Sequence, residues 1–401
     1  MILVSTRTYS RGHRAATYPP SSSDLRYVIN HGLRAHTSLG INHGSGHGPQ
    51  HAILPPDIFQ EILESEDASP EVRERAQRNL DISRSIRGAR AGAGAPPPTT
   101  PGLYRILYNC NKHSFLPGKE VREEGEDLSI TVQGDDSFDK VWNGFGSTYE
   151  LYRKFFNRIS IDDHGMRLLG SVHYDDNDVP PGYDNAFFDG SRMVFGDGDG
   201  ELFASFTNAV DVIAHELTHG VTQWTADLPY RQQSGALNES ISDCFGSMVK
   251  QYAKGQTADQ ADWLIGEGLF IDKEKNPALR SMKAPGTAYT DVFGHKDNQP
   301  SHMRDYDDLP DDEDHDNGGV HENSGIPNHA FYLAAVGLGG KSWDKAGPIW
   351  YKALTDPTLR AFAQRRSNWP KVFELFAKLT VRYAGADWAV VEDAWKKVGV
   401  L

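Results

Sequence analysis

Apolar residues recur at helical spacing through most of the second half of the chain, which predicts helices over 326–338, 343–354, 372–383 and 388–398. Between 103 and about 206 the apolar runs are shorter and broken by Gly and Asp turns. Strands are expected there near 166–174 and 192–195, around one helix near 139–157. The chain reads as α+β, a β-rich part (103–224) followed by a mostly helical part (225–401). A helix near 207–224, with Val210, Ile213, Leu217, Val221 and Trp224 on one face, joins the two.

Ahead of these parts, Ile53-Leu54-Pro55-Pro56 leads into Ile58, Phe59, Ile62 and Leu63, a short amphipathic helix entered through prolines. Such a helix needs a docking surface. A charged helix over 70–86 follows, and residues 88–102 are Ala, Gly, Pro and Thr with almost nothing to bury, so they form a linker. Residues 1–51 are expected to be a disordered extension. Five Arg and a single acid, Asp24, within the first 50 positions leave an organelle transit leader as the alternative.

A chain of 401 residues exceeds one ordinary core, and 38% hydrophobic with 24% charged residues is a globular mixture. The net charge of -14, from 41 Lys and Arg against 55 Asp and Glu, argues against nucleic acid as a partner. No apolar run approaches the roughly 18 residues that span a bilayer. Met1-Ile2-Leu3-Val4 is followed at once by Ser5, Thr6 and Arg7, so no secretory signal is expected, which suggests the cytoplasm or an unconventional export route. Cys110 and Cys244 are expected to stay free thiols.

Within the joining helix, His215-Glu216-Leu-Thr-His219 places two imidazoles one turn apart on one face, where both can reach one tetrahedral ion. Glu216 sits beside them. A third ligand comes from the next helical segment, where Glu239 lies 239 − 219 = 20 residues on, a distance that suits a turn and an antiparallel partner helix. Asp243, four residues later on the same face, is placed to accept the second ring N–H of a ligand His. Both acids lie in an apolar run, where uncompensated carboxylates are costly.

These motifs strongly resemble the thermolysin-like zinc metallopeptidases, and within them the protealysin group. The resemblance also rests on Asp184-Asn-Ala-Phe-Phe-Asp-Gly190, Ser234-Gly-Ala-Leu-Asn-Glu-Ser-Ile-Ser-Asp243, Arg280-Ser-Met282 and Asp316-Asn-Gly-Gly-Val-His-Glu-Asn-Ser-Gly325. It implies a two-domain fold with one zinc, held by His215, His219 and Glu239, in the cleft between the domains. Glu216 is then the general base, Tyr230 and His321 the oxyanion donors, and Asp316 the carboxylate that orients His321. Asn185, Ala186 and Arg280 are implied to bind the substrate main chain. Phe203, Phe206, Val212, Ile265 and Leu279 are implied to line the pocket for a large hydrophobic residue just after the cut, ordinary core packing being the alternative for each. Residues 52–87 resemble a protealysin-type propeptide that caps the groove as an intramolecular inhibitor and is removed within the linker. The implied enzyme is a monomeric endopeptidase acting on polypeptides.

Two features depart from the pattern. Of the acids that hold paired calcium ions in thermolysin, Asp211, Asp262 and Glu267 remain, but Lys250 and Leu264 occupy two other positions, so at most one calcium is expected. The extension before residue 51 is foreign to the protealysin pattern. The loop over 307–316, with seven acids in ten positions, reads as solvated, with cation binding as the alternative. A related aminopeptidase would need an acidic anchor in a Gly-Ala-Met-Glu-Asn stretch, which is missing. A binding protein on a dead scaffold would be expected to lose Glu216, which is present.

Overall fold

The computed structural model describes residues 51–89, 102–175 and 182–401. The expectations for residues 1–50 and for the linker over 90–101 lie outside the described residues.

The chain enters on a two-residue strand, β1 (His51–Ala52), so the boundary expected after residue 51 falls inside a strand. Helices α1 (Pro56–Glu64) and α2 (Pro70–Ala89) follow, the first begun by proline at a position where a missing N–H costs nothing. Strands β2 (Arg105–His113) and β3 (Lys119–Glu123) form a hairpin before helix α3 (Asp136–Phe156). Helix α3 is capped by the Asp135 side chain on the Ser137 N–H at 3.0 Å and stopped by Asn157 in the left-handed region. Strands β4 (Leu168–Tyr174), β5 (Ala186–Phe188) and β6 (Met193–Gly196) complete a mixed sheet in the order β1-β5-β6-β4-β2-β3. Strands β2, β4 and β6 run parallel; β3, β5 and β1 are antiparallel to their neighbours.

Helix α4 (Val210–Gln223) lies against this sheet and is buried from Asp211 to Thr222. It packs side by side with α5 (Gln232–Lys254), buried from Gln233 to Gln251 and ended by Gly255 at φ 66°. The close approach depends on Gly246, where a Cβ would stand 2.6 Å from the Asp211 carbonyl oxygen. A two-stranded ribbon, β7 (Leu264–Ile265) with β8 (Arg280–Ser281), precedes the remaining helices: α6 (Asp316–Asn323), α7 (Gly325–Leu338), α8 (Ala346–Leu354), α9 (Pro357–Ala363), α10 (Val372–Tyr383) and α11 (Trp388–Lys397).

One apolar cluster runs through both halves, from Ile53 and Phe59 through Phe145 and Leu217 to Trp350 and Trp395, so sheet and helices share a core. Both cysteines are free and buried. Among the described residues no helix is long and apolar enough to cross a membrane.

Candidate active site

Helices α4 and α5 bring His215, His219 and Glu239 together in the buried interior, their ligand atoms all within 4.8 Å of one another. The two Nε2 atoms are 2.9 Å apart, and the Glu239 carboxylate lies 3.3 Å from His215 Nε2 and 3.5 Å from His219 Nε2. Each ring is fixed from behind. His215 Nδ1 meets Asp243 Oδ1 at 2.7 Å, and His219 Nδ1 meets Asn238 Oδ1 at 3.0 Å and Ser242 Oγ at 3.1 Å. With Nδ1 so engaged, both Nε2 atoms converge on one point.

This donor set fits zinc. Burial by itself would strip charge from His215, yet the carboxylates of Asp243 and Glu239 outweigh it and raise its pKa to about 9, so the site favours a positive charge that a divalent cation would supply. Two imidazoles and one carboxylate, closed on the protein side, match a catalytic zinc centre with one open position.

Asp243 is the hub behind the ligands. Besides His215 it accepts Arg280 Nε at 2.8 Å, Arg280 Nη2 at 2.9 Å and Asn328 Nδ2 at 2.8 Å. Burial would raise its pKa, but Arg280 and His215 hold it down to about 2. Glu216, fully buried on α4, accepts the Phe188 N–H from β5 through Oε2 at 3.0 Å, which fixes its carboxylate at the sheet edge.

On the facing side, the Tyr230 hydroxyl donates to Glu239 and lies 3.2 Å from His321 Nε2. Asp316 accepts the His321 N–H at 2.7 Å and holds its Nδ1 at 2.9 Å. Four successive left-handed residues, Asp316, Asn317, Gly318 and Gly319, turn the chain so that this carboxylate reaches a ring five positions on. At Gly319, φ 66°, a Cβ would crowd Asn323 Nδ2 at 2.9 Å, so the turn favours glycine there. Burial opposes a charge on His321, but Asp316 and Glu239 prevail and raise its pKa to about 9.

The groove beside this cluster holds the chain's own residues 51–54 as an added strand, with His51 opposite Phe188 and Ala52 opposite Phe187. The Ile53 N–H donates to the Ala186 carbonyl at 3.1 Å, and Leu54 exchanges bonds with the Asn185 side chain at 3.0 and 3.3 Å. Arg280 Nη1 donates to the Ile53 carbonyl at 3.0 Å, and His321 Nε2 lies 3.0 Å from the Ala52 carbonyl. Phe203, Phe206, Val212, Ile265 and Leu279 are buried in the same apolar cluster as Ile53.

The three acids Asp211, Asp262 and Glu267 come together around Lys250, whose Nζ is 3.5, 3.0 and 3.2 Å from them and 3.2 Å from the Leu264 carbonyl. An ammonium sits where the acids would otherwise hold a cation. In the acidic loop, Asp311 pairs with Arg231 and Arg366, Asp312 caps His315, and Asp316 serves His321.

Sequence reasoning missed Asn238 and Ser242, which hold the His219 ring, Asn328, which donates to Asp243, and the Asp57 carboxyl on α1, which faces Glu322 of α6. Asn238 precedes Glu239 directly and Ser242 lies three residues beyond it, so their helical position was a usable signal. Asn328 and Asp57 gave none.

Comparison with known proteins agrees with this geometry. The thermolysin metallopeptidase catalytic domain matches residues 111–223 and its alpha-helical domain residues 226–400. An extracellular metalloprotease of Pectobacterium carotovorum subsp. carotovorum is 45% identical over 358 residues, 87% of this chain and 96% of the relative. Protease PrtS of Photorhabdus sp. (strain Az29) is 46% identical over 304 residues, 74% of this chain and 76% of its own length. Among solved structures, the precursor of protealysin, a metalloproteinase from Serratia proteamaculans, superposes with a TM-score of 0.75 at 44% identity, covering 88% of this chain and 100% of that one. The chain belongs to the thermolysin-like zinc metallopeptidases and is a metalloendopeptidase.

Proposed function

We propose that this endopeptidase cuts peptide bonds on the N-terminal side of large hydrophobic residues, with Glu216 as general base, and that residues 52–87 are a propeptide that holds it latent. The observation that carries this reading is the seating of Ala52, Ile53 and Leu54. A peptide is gripped through its main chain by Asn185, Ala186 and Arg280, with an apolar side chain in the buried cluster and a carbonyl at His321.

Zinc held by His215, His219 and Glu239 would acidify a water and polarise the carbonyl under attack. Glu216, beside the ligands, takes a proton from the attacking water and returns it to the departing amine. The Tyr230 hydroxyl and the His321 Nε2–H donate to the oxygen that becomes negative, and Asp316 keeps His321 charged and aimed. Arg280 and Asn185 align the main chain, so side-chain selection falls to the pocket of Phe203, Phe206, Val212, Ile265 and Leu279. Cut mapping on casein and a peptide library, with and without a zinc chelator, tests this. Cuts scattered without regard to the following residue would remove the assigned pocket.

The propeptide reading rests on what anchors the segment. Ile53, Leu54, Ile58, Phe59 and Ile62 are nearly fully buried, worth together on the order of 10 kcal/mol before ordering costs. Arg75 pairs with Glu201 at 2.5 Å and Asp199 at 3.5 Å, and Asn79 exchanges hydrogen bonds with Asp184. Release is expected in the linker over 88–102.

Docking of this segment should also depend on pH. Burial, with Asp316 adding to it, raises the Asp57 pKa from 3.8 to about 6, against the pull of the Glu322 hydrogen bond and of His321. Glu322 is raised well above its ordinary value by burial, Asp57 and Asp316. Glu61 on the same helix is raised to about 7, and Tyr289 also faces this group. A raised carboxyl pKa favours the docked state while protonated, so this contribution to docking is fully present below about pH 4 and is lost as pH rises through 6. Amide-exchange protection of residues 53–64 in the Glu216→Gln chain is expected to fall roughly tenfold or more from pH 5 to pH 8, and Asp57→Asn should reduce that dependence, with Glu61 carrying the remainder.

With Lys250 among Asp211, Asp262 and Glu267, the chain is proposed to hold at most one calcium. Metal analysis of dialysed protein is expected to return one zinc and no more than one calcium. Two tightly held calcium ions per chain would overturn this.

A further inference from the structure

The main-chain bonds around residues 51–54 single out one peptide bond. On its acyl side, the Ala52 carbonyl oxygen is 3.0 Å from His321 Nε2, and that nitrogen is itself 3.2 Å from the Tyr230 hydroxyl and 3.6 Å from Glu239 Oε2. On its amine side, the Ile53 N–H is held by the Ala186 carbonyl at 3.1 Å, and the Ile53 carbonyl by Arg280 at 3.0 Å. The bond between these two grips therefore lies at the metal-ligand cluster. The residue after it is a fully buried isoleucine, part of the apolar cluster that runs through both halves and also takes in Phe203, Phe206, Val212 and Leu279.

Neighbouring bonds lack this placement. The His51 residue pairs with Phe188 further along β5, and the Ile53 carbonyl faces Arg280 instead of the oxyanion donors. The next two bonds lead into Pro55 and Pro56, which offer no N–H to the groove.

We propose that the enzyme hydrolyses its own Ala52–Ile53 bond intramolecularly, releasing residues 1–52 and leaving Ile53 as a new amino terminus in the groove. The inference rests on the endopeptidase reading above and adds a processing bond upstream of the linker. Water oxygen bonds to the Ala52 carbonyl carbon, the C–N bond to Ile53 breaks, and the proton taken up by Glu216 goes to the Ile53 nitrogen. No other reactant is needed. Because α1 and α2 anchor the segment independently, residues 53–89 remain docked after this cut, and loss of the extension precedes loss of the propeptide.

Intact-mass analysis and amino-terminal sequencing of the purified full chain, followed in time at several concentrations, test the proposal. The expected result is a species beginning Ile53-Leu54-Pro55-Pro56, formed with a first-order rate constant unchanged over a hundredfold dilution and absent from Glu216→Gln. Ile53→Val should process at a similar rate, and Ile53→Asp at least tenfold more slowly, while casein hydrolysis by the finally released Ile53→Asp enzyme reports that its catalytic part has folded. A preparation that hydrolyses casein but keeps residues 1–52 attached, or cuts that region elsewhere, overturns the proposal and leaves the function standing. An apparent first-order rate constant that rises in proportion to concentration overturns the intramolecular step. Failure to cut either casein or the chain itself sinks both readings.

Discussion

Glu216→Gln is expected to lower casein hydrolysis by about 10²- to 10⁴-fold, the range for loss of a positioned general base. The amide keeps the size of the side chain and can still accept the Phe188 N–H that now bonds Oε2 at 3.0 Å. Folding should change little, because a neutral group replaces a fully buried carboxylate. The decisive comparison pairs steady-state rates with zinc content and thermal unfolding. A variant that loses activity only because it loses zinc would place Glu216 among the structural supports of the metal and remove its role as base. Equal zinc and equal stability with lost turnover assign the proton transfer to this residue.

Asp243→Ala should have the largest effect on stability. The carboxylate accepts from His215, twice from Arg280 and once from Asn328, and all of these donors are buried. Its removal leaves the Arg280 guanidinium, 4% exposed, without its counter-charge, at a cost of about 3–5 kcal/mol. It also frees the His215 ring from the contact that fixes its tautomer, which typically weakens metal binding by about 10–100-fold. Denaturant unfolding and a zinc titration read the two effects separately. Asp243→Asn serves as the geometric control. It should recover part of the metal affinity and little of the stability, since an amide keeps the shape and not the charge. Unchanged unfolding of Asp243→Ala would show that Arg280 finds another partner and that the hub is dispensable.

Much of this was legible in one dimension because it depends on spacing within a single element. The run over 372–383 gave helix α10 with the bounds the structure has, since its buried residues Val372, Phe373, Phe376, Leu379 and Thr380 repeat at helical spacing. Strand β5 is a different case. All three of its residues are buried, so it shows no alternation for periodicity to register. The predicted helix over 343–354 begins three residues later, at Ala346, because residues 343–345 form a turn ahead of it. Helix α2 runs to Ala89, past the expected start of the linker, since alanine and one glycine near a helix end do not by themselves stop it.

The sequence by itself determined the pair His215 and His219, because four residues on a helix is a local distance that backbone geometry alone enforces. It also determined that Glu239 and Asp243 share a helix face, by the same rule. Tertiary structure decided how the two helices meet, through a glycine at Gly246 that lets α5 approach the Asp211 carbonyl. It decided as well that Arg280 and Asn328 close on Asp243, that the Ala52 carbonyl meets His321 and that the Ile53 carbonyl meets Arg280. These contacts join residues from 37 to 269 positions apart. No local periodicity encodes such partners, because they are selected by the packing of whole elements around one shared core.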